Sequence, residues 1–77
     1  MKGETIYIYA ETDGMKGIIK IYHEYDWKFD AIKGDSDIID DMEYVDHRYD
    51  TDDVMEYVYD YFDIVKEIEE SDIEDYL

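Results

Sequence analysis

Between Thr5 and Ile32 apolar and polar residues alternate with a period of two, and this confines the first half of the chain to β-strands. In residues 5–11, Ile6, Ile8 and Ala10 fall on one face, with Tyr7, Tyr9 and Glu11 on the other. Thr12-Asp13-Gly14 is a turn signal, because glycine takes the positive φ that a tight hairpin needs, and Met15-Lys16-Gly17 leads into the return strand. Residues 18–25 set Ile19, Ile21 and His23 against Lys20, Tyr22 and Glu24. Residues 27–32 set Trp27, Phe29 and Ala31 against Lys28 and Asp30. Lys33-Gly34-Asp35-Ser36 closes this half. The expectation is a three-stranded antiparallel meander.

The period then changes. Thr51-Asp52-Asp53 reads as a helix start, with Asp50 or Thr51 as the cap and the acids that follow complementing the positive end of the helix dipole. Val54, Val58, Tyr61, Val65 and Ile68 recur at steps of four and three, widened by Met55 and Phe62, and predict one long amphipathic helix running on to about residue 70. Its apolar stripe is expected on the Ile/Trp/Phe face of the sheet, giving an α+β fold of two layers. Residues 36–45 carry Ile38, Ile39, Met42 and Val45, a short helical pattern with Ser36 as a cap or, alternatively, a strand. Residues 71–77 form a last turn or fray.

Seventy-seven residues make one domain, divided into a sheet half (1–34) and an acidic helical half (35–77). The chain has 24 acids and 7 bases, a net charge of −17. Residues 1–34 hold five bases and six acids; residues 35–77 hold two bases, Arg48 and Lys66, and 18 acids. Binding to nucleic-acid phosphates needs Lys and Arg, so direct nucleic-acid binding is excluded, and docking on anionic membranes is disfavoured. The absence of cysteine excludes disulfides and thiolate metal sites. No apolar run approaches membrane-spanning length and no signal-peptide pattern opens the chain, so a soluble protein of the cytoplasm is expected.

On the expected long helix, Asp53, Glu56, Asp60, Asp63, Glu67 and Glu70 recur at steps of three and four, opposite the apolar stripe. They predict a row of carboxylates roughly 25 Å long, with neighbours about 5–6 Å apart. Ordinary solvent-facing helices mix Glu with Lys; here Lys66 is the only base after Arg48. Two like charges about 5.5 Å apart in water repel by about 0.75 kcal/mol before screening. The chain also contains no Asn and no Gln, either of which would satisfy an exposed position without repulsion. Charge itself therefore looks selected. Asp40, Asp41, Glu43 and Asp46 form a second acidic cluster, and Tyr57 and Tyr59 flank the row as contact residues.

Other chemistries find less support. A calcium loop starting at Asp35 would need Gly and Glu where Asp40 and Asp46 stand; one starting at Asp50 meets Met55 and Tyr61. His23 and His47 lack metal-ligand spacing, and Ser36 and Ser71 lie in no nucleophile motif. The expectation is a binding protein rather than an enzyme, with no cofactor and no metal.

In its length, its acidic second half, its strand-then-helix order and the 53–70 carboxylate row, the chain resembles small acidic phage-encoded proteins that mimic DNA, among them anti-CRISPR and anti-restriction proteins and inhibitors of uracil-DNA glycosylase. The resemblance implies a monomer or small homo-oligomer in an infected bacterial host. Its partner would be a basic nucleic-acid-binding protein: a CRISPR effector first, then a restriction enzyme or a DNA-repair enzyme. The acids at 53, 56, 60, 63, 67 and 70 would carry the contact. A small regulatory adaptor that binds a basic protein without mimicking DNA is the alternative.

Overall fold

The computed structural model describes residues 5–42 and 45–77. It is an α+β fold built on a four-stranded antiparallel sheet in the order β3-β2-β1-β4. The expected meander is present as β1 (Thr5–Thr12), β2 (Met15–His23) and β3 (Trp27–Gly34). Asp13 and Gly14, at φ 50° and 81°, form a two-residue turn of the type whose twist matches paired strands. Ile8 pairs with Ile19 and Ile6 with Ile21, while Phe29 pairs with Ile21 across the next ladder. The register shifts between Ile18 and Ile19, where Ile32 becomes the extra residue on β3. Beyond the bulge, Gly34 (φ 88°) lies against β2 so closely that a Cβ would meet the Lys16 carbonyl oxygen at 2.5 Å. The Asp35 N–H donates to that carbonyl, and the Asp35 carboxylate accepts from the Lys16 N–H at 3.0 Å.

Residues 36–45 divide between the two alternatives. Ser36–Ile39 is a 3-10 turn that drops Ile38 into the core, with Asp35 rather than Ser36 at its cap position. Val45 makes an isolated antiparallel bridge to Trp27.

The second half differs from the expected single helix. Helix α1 runs only from Thr51 to Tyr61, capped by the Asp50 carboxylate, which accepts from the Asp53 N–H at 2.9 Å. At Phe62 the backbone turns extended (φ −100°, ψ 150°), and the Asp63 N–H donates to the Glu11 carbonyl. Ile64–Ile68 then forms β4, antiparallel to β1 with Tyr9 opposite Lys66. The physical reason lies in β1. Once paired with β2, it presents a second edge of backbone groups from Tyr7 to Glu11, and the β-branched Ile64, Val65 and Ile68 suit a strand there better than a helix.

Val54, Val58 and Phe62 pack with Ile6, Ile8, Ala10, Ile19, Ile21, Trp27, Ile38 and Val45 in one core on the inner face of the sheet. Register places Ile18, opposite Tyr9, and Ile68, opposite Tyr7, on the outer face, outside this core. Both are nonetheless buried, Ile18 completely. The C-terminal segment lies on this face. Glu70–Asp72 (3-10) and α2 (Ile73–Tyr76) follow β4, Tyr76 stacks on Tyr9 with ring centroids 5.5 Å apart, and Leu77 reaches Gly34. Residues 70–77 thus take the last-turn alternative rather than fraying, and they add a small third, outer layer to the expected two. Ile68 belongs to this outer layer and not to the apolar stripe of a helix.

Candidate functional site

The break at Phe62 separates the carboxylates expected in one row. Asp53, Glu56 and Asp60 share the solvent side of α1, spanning about 10 Å along its axis. Asp63 sits in the turn, Glu67 on β4 opposite Ile8, and Glu70 in the 3-10 run that leads to the outer layer. The 25 Å row does not exist. All six remain exposed.

The second cluster also divides. Asp40 and Asp41 are exposed just after the 3-10 turn, and Glu43 lies outside the described residues. Burial raises the Tyr61 hydroxyl pKa above its ordinary value, and the nearby charges of Asp41, Asp40 and Asp13 add to that rise. Asp40 and Asp41, with Asp13 from the β1–β2 turn, thus lie near enough to Tyr61 for their charge to bear on its hydroxyl, a proximity no sequence spacing announces.

Asp46 is spoken for. Arg48 grips it with two bonds, Nη2–Oδ2 at 2.8 Å and Nε–Oδ1 at 3.2 Å, and also donates its backbone N–H to Oδ1 at 2.9 Å. Those bonds hold its carboxyl at about 2. His47 Nδ1 stands 3.3 Å from Asp46 Oδ1 and 3.5 Å from Asp26 Oδ1, and the His47 N–H donates to Asp26. Asp26, Asp46 and His47 bring three ligand atoms within 4.8 Å of one another. With a guanidinium already engaging both oxygens of Asp46, however, the cluster is a hydrogen-bonded network that ties residues 46–48 to the turn before β3. A metal would have to displace Arg48.

The network fixes one wall of a groove. Trp27 Nε1 donates to the Tyr49 carbonyl at 3.0 Å and the Trp27 N–H to the Val45 carbonyl at 2.9 Å, so the loop from Val45 to Asp50 is bolted to β3 at both ends. The opposite wall is the acidic side of α1. Val45, Asp46, Tyr49, Asp53, Glu56, Tyr57 and Asp60 enclose an open groove of about 590 Å³. The structure thus gathers Asp46, Asp53, Glu56, Asp60 and Tyr57 of the expected contact residues. Tyr59, half exposed, projects elsewhere on the helix. Tyr49, which sequence reasoning missed, is the added element; its signal was an aromatic residue directly before the helix cap. Among the described residues, no cation lies within 4.0 Å of Asp53, Glu56 or Asp60.

Comparison with protein-family models, curated proteins and solved structures finds no match to this chain. No helix among the described residues is long and apolar enough to cross a membrane.

Proposed function

We propose that the chain is an acidic DNA mimic: an inhibitor that occupies the basic nucleic-acid-binding channel of a DNA-processing enzyme, in the cytoplasm of a phage-infected bacterium. The observation that carries this reading is the linear density of uncompensated charge. The described residues bear a net −16, the chain's −17 less the −1 of Lys2, Glu4 and Glu43, over a longest dimension of 32 Å. That is one charge per 2 Å, against one per about 1.7 Å along duplex DNA. A channel lined with Lys and Arg would exchange its counterions for these carboxylates as it does for phosphates. Among such enzymes a CRISPR effector comes first, because it holds a heteroduplex in a positively charged channel. Restriction and repair enzymes follow. The chain acts by occupancy and performs no chemistry.

The adaptor reading draws support from the separation of the acids, since three carboxylates on α1 are a patch and not a strand of phosphates. Both readings meet one experiment. The immobilised chain is exposed to DNase-treated bacterial lysate, the retained protein is identified, and its binding is measured against a DNA duplex at two salt concentrations. Mutually exclusive binding, weakening by about tenfold or more between roughly 50 and 200 mM salt, supports mimicry. A partner that binds chain and duplex together is the adaptor's signature and overturns it.

A further inference from the structure

We infer that the groove between α1 and the 45–50 loop is the seat for an arginine side chain of the protein partner, presented on an exposed basic segment. The inference rests on the reading above only in taking the partner to be basic. Two observations point to arginine. The groove's lining includes Val45, Tyr49 and Tyr57, and a guanidinium stacks on aromatic faces more readily than an ammonium does. Its rim carries Asp53, Glu56 and Asp60, spaced three and four residues apart on one helix side, with neither Lys nor Arg among the described residues that line it. Carboxylates so placed accept the fork of a guanidinium in pairs. Its walls are also set in advance. Asp50 caps α1, and Trp27 holds the backbone of Tyr49, so little ordering is needed on binding. The protein already uses the same chemistry at the end of this groove, where Arg48 grips Asp46 with two bonds.

Charge complementarity commits the groove to a cation, and its aromatic lining commits it to the flat, delocalised one. Any polycation would be drawn to a chain of net −17, so location and side-chain preference decide the matter. The test titrates the ¹⁵N-labelled full chain with a tetra-arginine and a tetra-lysine peptide at equal ionic strength. Arginine is expected to bind about threefold or more tightly, with amide shift changes concentrated at residues 45–60. Glu56→Gln with Asp60→Asn should weaken it by about fivefold or more, whereas Glu74→Gln with Asp75→Asn, the same charge change on the outer layer, should alter it by less than about twofold. Equal weakening by the two pairs, equal affinity for the two peptides, or shifts spread over the C-terminal segment would overturn the assignment. The outcome is separable from that of the proposed function. A chain that competes with DNA for its target but fails this test keeps the function and loses the groove; one that passes but does not compete keeps the groove and loses the mimicry.

Discussion

Ile18 lies on the sheet face opposite the main core and is completely buried. If the segment after β4 covers it, two perturbations must be coupled. Replacing Ile18 with alanine in the full chain removes a buried side chain and leaves a cavity, a change that costs about 2–5 kcal/mol. A chain of 77 residues has a net stability on the order of 4–12 kcal/mol. About 3 kcal/mol is therefore a large share of it, and the melting temperature should fall by roughly 12–24 °C. Ending the chain after Glu69 removes Tyr76, whose stacking on Tyr9 contributes about 0.5–1.5 kcal/mol, and uncovers Ile18. In that shortened chain Ile18 faces water, and Ile18→Ala should cost only about 1 kcal/mol or less.

The double-mutant cycle should thus show a coupling of about 2 kcal/mol between the substitution and the truncation. Urea unfolding is the assay, run in about 0.5 M salt, where the screening length is on the order of 4 Å and the loss of Glu70, Asp72, Glu74 and Asp75 is masked. Tyr76→Ala in the full chain supplies a milder version should the shortened chain not fold. If Ile18→Ala costs the same in every background, the C-terminal segment does not cover the sheet and the third layer is wrong.

Two further outcomes follow from local geometry and charge. Gly34→Ala should destabilise by about 2 kcal/mol or more, since φ is 88° and the new Cβ meets backbone; Gly14→Ala, with φ 81° but open space, should cost about 1 kcal/mol, and chemical denaturation of the two variants tests that order. Asp46 has a folded-state pKa of about 2, below its ordinary 3.8, so its contribution to stability is fully present above that ordinary value and is lost as pH falls through about 2. Asp46→Asn should therefore flatten the acid limb of stability between pH 4 and 2, read from thermal melts, and leave the change from pH 7 to 5 as it was.

The meander was legible because its signals are local and agree with one another. Alternation sets Ile6, Ile8 and Ala10 inward, and Asp13-Gly14 fixes the turn. The helix start was legible for the same reason, from Asp50 and the acids after it. The helix end was not. Phe62-Asp63 contains neither Gly nor Pro, and Val58, Phe62 and Val65 keep helical spacing across a break that backbone pairing with β1 imposes from outside the segment. The carboxylate row ends at the same place. Acids at steps of three and four make a row only while the helix lasts, so Asp53, Glu56 and Asp60 were placed together correctly while Asp63, Glu67 and Glu70 were not. Tyr49 came to the site through a tertiary contact, the Trp27 bond, and no sequence period reports that.

Losing the row changes what the charge demands of a partner. A single carboxylate stripe could be satisfied by one flat basic surface. In this fold α1 lies on the inner face of the sheet and the segment with Glu70, Glu74 and Asp75 on the outer face, with four strands between them. Charges on opposite sides of a layer cannot both meet a flat surface, and leaving either set in water returns no binding energy for the repulsion of holding it together. Under the proposed function, a partner that uses most of this charge must therefore be concave, with cations on walls that face each other. A nucleic-acid channel has that form, because duplex DNA also presents its phosphates all round. An adaptor needs only the α1 side, and would leave the acids of the outer layer without a role.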